Sequence, residues 1–247
     1  MTTPHESHTR MYSHINGTAA EVIDRLAVAE LCKGWPAYRD NSEWKNYRSL
    51  FMKDAYVWTT WSGRQHIDDF IKISRDGKAK GVFIQHRETG TAVELNQAAD
   101  RAIGKMKATI TQRFTAPATE DHEPIVYDVD CDCRFIFFCR RDDSGGWKAK
   151  YVKLVYEKDK VIPVDGKTAP TFPKEILDKY PEGYKYLGAA QSSLGYKVDE
   201  NLATLDQRYW SHMYSSMEKW LAGDSDPGLS WEDLPKDSVT KAGPSDN

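Results

Sequence analysis

Residues 126–158 read VYDVDCDCRFIFFCRRDDSGGWKAKYVKLVYEK, and this stretch decides the fold class. In residues 126–140 the polar Asp130, Asp132 and Arg134 alternate with Cys131, Cys133, Phe135, Phe137 and Cys139. That period of two describes one long strand with a polar face and a Cys/Phe face. Asp142-Asp143-Ser144-Gly145-Gly146 supplies a hairpin turn, and residues 147–158 supply the return strand.

Upstream of this hairpin, residues 55–61, 82–86, 91–95 and 103–115 also read as strands. Residues 65–73 form a short amphipathic helix pattern carrying Ile67, Phe70 and Ile71. Further upstream, residues 44–51 read as a helix with Trp44, Tyr47, Leu50 and Phe51, preceded by a turn at Tyr38-Arg39-Asp40-Asn41. Thr18-Ala19-Ala20-Glu21 is a capping box that opens a first helix. Val22, Leu26 and Ala29, flanked by Ile23, Ala27 and Leu31, give that helix an expected inward stripe, with Asp24, Arg25 and Glu30 outward. Pro36 is expected to kink or end it. Helices followed by long antiparallel strands specify α+β, with helices against one face of the sheet.

Downstream, Pro163, Pro170, Pro173 and Pro181 punctuate a loop-rich stretch. Residues 199–222 then read as a helix with Leu202, Leu205, Tyr209, Met213, Met217 and Leu221 at core spacing. The expected organisation is a mobile tail (1–17), a main domain (18–161), an extension wrapped on it (162–222) and a flexible tail (223–247). An extension of roughly 60 residues buries too little surface to stand alone.

The chain has 247 residues, 40% of them hydrophobic, with 8 Trp, 13 Tyr and 8 Phe, enough for one ordinary core with extensions. A net charge of −3 offers no basic surface for nucleic acid or an anionic membrane. No apolar run approaches the ~18 residues of a membrane span. The N-terminal residues have no apolar leader region, so Asn16-Gly17-Thr18 reads as a chance glycosylation pattern and an intracellular, cytoplasmic protein is expected. Cys131, Cys133 and Cys139 read as small buried hydrophobes of a reducing compartment. His66 reads as a surface residue, and His5, His8, His14, His122 and His212 have no metal-ligand spacing. No glycine-rich phosphate loop is present either, so neither metal nor organic cofactor is expected.

Several segments resemble a known family. Arg39-Asp40-Asn41-Ser42-Glu43-Trp44 is similar to the turn of scytalone dehydratases in which an aspartate shortly precedes a tryptophan. Phe83-Ile84-Gln85-His86 resembles the strand entry that holds the family's catalytic histidine, and Thr111-Gln112-Arg113-Phe114 resembles its later His-Gln-Arg-Tyr. The hairpin with Trp147-Lys148 fits its last two strands. The resemblance spans residues 18–160 and extends to the wider SnoaL-like, or nuclear-transport-factor-2-like, group. It implies a curved, mostly antiparallel sheet closed by N-terminal helices into a cone, an α+β barrel, with a helical C-terminal extension. It also implies an oligomer, dimer or trimer. That group holds dehydratases, dehydrochlorinases, isomerases, epoxide hydrolases, polyketide cyclases and pure binding proteins, so membership alone names no reaction.

The resemblance assigns His86 and Asp40 as a catalytic pair, and the chemistry of such a pair is general. An imidazole exchanges protons near neutral pH, and a carboxylate on its other nitrogen fixes the tautomer. Tyr56, Trp58, Phe83 and Tyr151 are expected to wall the pocket and keep it dry. The chain departs from the family at four places: Thr111 stands where a second histidine is found, Arg39 and the vicinity of Thr59 replace two tyrosines, and Phe135 falls near an asparagine. Arg113 or Thr111 is the expected electrophilic partner, with a salt bridge to a sheet carboxylate as the equal alternative for Arg113. The expected activity is a cofactor-independent dehydratase or lyase acting on a small apolar or aromatic molecule, a phenolic, polyketide or terpenoid intermediate. A cyclase, isomerase or pericyclase on the same scaffold is a second reading, and a non-catalytic small-molecule binding protein a third.

Overall fold

The computed structural model describes residues 7–8, 10–120 and 122–231. Helix α1 (Ala19–Gly34) runs directly into a π-helical turn (Trp35–Arg39), and α2 (Trp44–Ser49) follows. Strand β1 (Phe51–Thr59) and the short β2 (Gly63–His66) lead into α3 (Ile67–Ala79). The long strands are β3 (Ile84–Asn96), β4 (Arg101–Ala116), β5 (Ile125–Arg141) and β6 (Trp147–Pro163). The chain closes with α4 (Lys174–Leu177), α5 (Lys185–Ser193) and α6 (Gln207–Leu221).

The six strands form one sheet in the order β2-β1-β6-β5-β4-β3. All neighbours are antiparallel except β1 and β6, which run parallel. The α+β class and the mostly antiparallel sheet are as expected. The N-terminal helices cover the inner face as expected for the cone, while the strands themselves do not join into a closed barrel, β2 and β3 being the sheet's edges. The expected 126–158 hairpin is present and extends further at both ends. Residues 84–86 of the first expected segment and 91–95 of the second belong to one strand, β3, interrupted only by a register shift between Glu88 and Gly90.

Both faces of the sheet are buried where helices cover them. On the inner face, Cys131, Cys133, Phe135, Phe137 and Cys139 pack in one cluster with Val28, Cys32, Trp35 and Phe70 from α1, the π turn and α3. On the outer face, Ile136, Phe138, Val155 and Trp58 pack under Tyr209, Met213, Met217 and Trp220 of α6. All four cysteines are free and buried. No described helix is long and apolar enough to cross a membrane.

Helix α1 begins with the expected capping box: the Glu21 N–H donates to Thr18 Oγ1 (3.2 Å), and the Thr18 N–H donates to Glu21 Oε2 (2.8 Å). Its inward face differs from the expected stripe. Val22, Ile23 and Leu26 are 47%, 64% and 56% exposed, while Asp24, Arg25, Val28, Leu31 and Cys32 are buried. Tertiary partners explain the rotation. Asp24 accepts hydrogen bonds from Trp147 Nε1 (3.0 Å), Arg141 Nη2 (2.5 Å) and Gln97 Nε2 (3.3 Å), and Arg25 donates to Ser13 and Asn16. A buried charge is tolerated when it is paired in this way. Gly104 on β4 lets α1 approach, because a Cβ there would lie 2.3 Å from Cys32 Sγ.

The described part of the N-terminal stretch, expected to be a mobile tail, is tied down. Ser13 pairs with Leu95 through both backbone bonds, and the His8 ring meets Glu94 and Glu218. At the other end, Leu229 and Trp231 are buried, and the Leu229 carbonyl accepts from Lys153 Nζ (2.6 Å). Residues 232–247, the rest of the expected flexible tail, lie outside the described residues. The C-terminal helix starts later than expected. Asp206 caps it by accepting from the Arg208 N–H (3.0 Å), and Leu202 and Leu205 precede it in loop. Helix α5 lies in the stretch read as loops. Asp159 of β6 holds its first turn by accepting the Leu187 N–H (2.7 Å), and Gly188 lets the Tyr180 ring lie against it.

Candidate active site

The π turn decides where Asp40 sits. It continues α1 past Pro36, buries Trp35 and Arg39, and releases the chain into the Asp40–Asn41–Ser42 turn at the edge of β3. An edge strand has backbone N–H groups with no strand neighbour. Asp40 takes one of them: the His86 N–H donates to Asp40 Oδ2 at 2.6 Å. The same carboxylate receives the ring, with His86 Nδ1 at 2.8 Å from Oδ1. His86 is thereby held at two points by one side chain. Lys78 of α3 donates to the Asp40 carbonyl and lies 3.2 Å from Ser42 Oγ, which pins the turn against α3.

Burial pushes the His86 ring below its ordinary pKa, aided by the nearby Arg39 and Lys78 cations and only partly offset by Asp40. Burial opposes ionisation of Asp40, but His86 and Arg39, together with the hydrogen bonds from His86, outweigh it and hold the carboxyl below its usual range. The resulting state is an Asp40 carboxylate accepting Nδ1–H from a neutral His86. Its Nε2 is left as the basic atom and makes no hydrogen bond among the described residues.

His86 lines a small cavity under the sheet's inner face. Trp35, Trp61, Phe70, Phe135 and Tyr156 form its aromatic surface; Ile84, Ile110, Leu154 and Leu187 add aliphatic surface. The Trp35 ring lies 5.2 Å from that of Phe135 and 6.3 Å from His86. Its polar groups besides His86 are Arg39, Thr59, Thr60, Gln112 and Gln191. Gln191 Nε2 donates to Gln112 Oε1 (2.9 Å), and the Tyr156 hydroxyl accepts the Thr60 N–H (3.1 Å). A second space shares Arg39, Trp61, Ile84 and Gln112 with the first. It continues past Lys78, Val82 and Tyr196, forming a vestibule between α3 and β3.

Of the residues expected at the site, the structure brings together Asp40, His86, Thr59 and Phe135. It places the others elsewhere. Thr111 and Arg113 project from the opposite face of β4. Thr111 bonds to Arg87 and Asp130, and Arg113 makes a two-pronged pair with Asp128 at 2.8 Å. Their neighbours Ile110 and Gln112 face the cavity instead. Tyr56, Trp58 and Tyr151 lie on the outer face with the α6 cluster, and Phe83 is 52% exposed ahead of β3. His66 is structural, capping α3 through Asp68 N (3.3 Å) and reaching the Lys53 carbonyl (2.9 Å). The residues missed from sequence include Trp35, Arg39 and Gln112, whose place beside Asp40 or at the cavity's strand parity was the available signal. Leu187 and Gln191, on the unanticipated α5, had none.

Comparison with known proteins gives a consistent assignment. The SnoaL-like domain model matches residues 20–153. The chain is 41% identical over 217 residues to pea pathogenicity protein 2 of Fusarium vanettenii, covering 85% of this chain and 90% of that protein. An uncharacterized protein of Emericella nidulans is 40% identical over 220 residues, covering 84% and 90%. Among solved structures, a type 2 hexachlorocyclohexane dehydrochlorinase LinA superposes with a TM-score of 0.48 at 14% identity, covering 60% of this chain and 95% of that one.

Proposed function

The chain belongs to the SnoaL-like domain family, and on that premise we propose that it is a cofactor-independent lyase of the dehydratase type. Its substrate is a phenolic, polyketide or terpenoid intermediate. One observation carries this reading: Asp40 holds both the backbone and the ring of His86, leaving Nε2 as a base on an aromatic cavity.

In this mechanism His86 Nε2 takes a proton from a carbon next to a carbonyl. The C–H electron pair forms an enolate with that carbonyl, and as the carbonyl reforms the enolate pair becomes the new double bond and the hydroxyl on the adjacent carbon departs. The imidazolium returns its proton to that hydroxyl, water leaves, and the protein ends unchanged. Asp40 stabilises the transient imidazolium. General-base assistance of this kind typically contributes ~10²–10⁴-fold. The aromatic walls exclude water that would otherwise compete for the base.

The test compares small-molecule profiles, by mass spectrometry, of host cells carrying the intact gene, a deletion, or His86→Gln. The Gln side chain keeps an N–H partner for Asp40, and circular dichroism checks that the variant folds. The expected result is that deletion and His86→Gln accumulate one compound, heavier than the missing product by one water. Accumulation of a compound of equal mass replaces dehydration by isomerisation or cyclisation on the same dyad. A His86→Gln profile matching the intact gene refutes proton abstraction by His86.

A further inference from the structure

Three buried polar atoms on residues lining the cavity have no hydrogen-bond partner among the described residues: Arg39 Nε, Trp35 Nε1 and Gln191 Oε1. Buried polar groups are almost always satisfied, so such a cluster calls for an explanation. Arg39 is the most demanding of the three. Arg39 is 5% exposed; its guanidinium lies 5.5 Å from the Phe70 ring centroid and pairs with Asp40 Oδ1 at 3.5 Å, longer than a good hydrogen bond. Both Asp40 oxygens lie closer to the two His86 donors, at 2.6 and 2.8 Å, than to Arg39. Arg39 is also shared by the cavity and its vestibule, so a molecule passing between them meets it.

The charges around the site point the same way. Arg39 and Lys78 line the two spaces, and no carboxylate lines either among the described residues. Two positive charges against the single Asp40 carboxylate leave a surplus of one. A neutral His86 does not change that balance.

From this geometry we propose that Arg39 is the oxyanion-binding residue of the cavity, so that the substrate is an enolisable carbonyl compound whose oxygen sits on the guanidinium. The inference rests on the proton-abstraction reading and supplies its missing electrophile. When His86 Nε2 removes the α-proton, the C–H electron pair moves into a C=C bond. The carbonyl π pair then moves onto oxygen, and the enolate formed neutralises the surplus charge. Trp35 Nε1 and Gln191 Oε1 are two further polar atoms without a hydrogen-bond partner among the described residues, on side chains that line the same cavity. Arg113 and Thr111, on the other face of β4, are not in a position to act in this way.

The probe is para-nitrophenol, a planar aromatic whose phenolate absorbs visibly apart from the neutral phenol and mimics an enolate oxygen. Titrating the intact protein across a pH series is expected to show that the bound probe is enriched in phenolate relative to free probe at the same pH. Arg39→Gln should weaken phenolate binding about 10- to 100-fold while leaving neutral-phenol binding within a few-fold, as expected for loss of a charge-assisted hydrogen bond. Arg39→Lys, which keeps the charge, should recover part of the loss. Three results overturn the proposal: preference of the intact protein for neutral phenol, no binding of either form, or equal phenolate affinity with Arg39→Gln. The first two need no variant to fold. Phenolate binding dependent on Arg39, with His86→Gln silent in cells, refutes the base and spares the oxyanion site; the reverse pattern does the opposite.

Discussion

Asp40→Asn replaces one carboxylate oxygen by an NH2 group and is expected to reverse the tautomer of His86. In the intact chain the carboxylate accepts two donors, the His86 N–H at 2.6 Å and the ring Nδ1–H at 2.8 Å. An asparagine side chain offers one acceptor and one NH2 group. The backbone N–H is a donor under all conditions, so the amide oxygen turns to it and the NH2 faces Nδ1. Nδ1 must then accept, and the ring proton moves to Nε2, the atom that has to be basic. Retaining the original tautomer would oppose two N–H groups in a buried site, at about 1–3 kcal/mol. That disfavours the working tautomer by roughly 5- to 150-fold. Loss of imidazolium stabilisation adds to this, so flux through the reaction should fall by ~10²–10⁴-fold. NMR of protein labelled at its histidine ring nitrogens reads the tautomer without any substrate, with His86→Gln identifying the resonance. An Asp40→Asn variant whose His86 still carries its proton on Nδ1 would falsify the two-point account of the dyad.

Three further outcomes follow from other parts of the molecule. Burial depresses the His86 pKa, and the base works unprotonated, so kcat/KM should rise with pH, with its midpoint below the ordinary histidine value of about 6.5, and then level off; a rate that falls as pH rises from 6 to 8 contradicts the assignment. Gly104→Ala should destabilise the chain by about 1–3 kcal/mol in denaturant melts, because its Cβ would meet Cys32 Sγ at 2.3 Å. Adding Cys32→Ala should restore part of that loss, and an unrelieved double variant rules out this contact as the cause. Phe138→Ala should cost about 3–5 kcal/mol, since the ring is fully buried between the sheet and α6; a cost below about 1 kcal/mol would mean that α6 does not depend on this packing.

Parts of the site were legible because they rest on short-range physics. Asp40 follows a helix and a turn signal, and His86 opens a strand, so their chemistry could be read from two short segments resembling one family. Their meeting at 2.8 Å agrees with that resemblance. The two residues of β4 expected as electrophilic partners, Thr111 and Arg113, point away from the cavity. Thr111 and Arg113 share a face of β4, Ile110 and Gln112 the other, and a shift of one residue exchanges the faces. Both faces of the sheet carry aromatic residues, because α6 buries the outer one. Tyr56, Trp58 and Tyr151 therefore looked like pocket walls although they pack on the far side.

Taken alone, the amino-acid order determined what depends on neighbours a few residues apart: the capping box at Thr18 and Glu21, the period-two run of β5, the turn at Asp142–Gly146 and hence the α+β class. Tertiary structure decided what depends on partners far along the chain. Asp24, held by Arg141 and Trp147 more than a hundred residues away, sets which face of α1 turns inward. Asp159 holds the first turn of α5 and so brings Gln191 to the cavity. Arg39 reaches the cavity because the π turn carries it inward, where it is 5% exposed, pairs with Asp40 at 3.5 Å and keeps its Nε without a hydrogen-bond partner among the described residues. Local periodicity is fixed by backbone geometry, whereas burial and charge balance are sums over the whole fold.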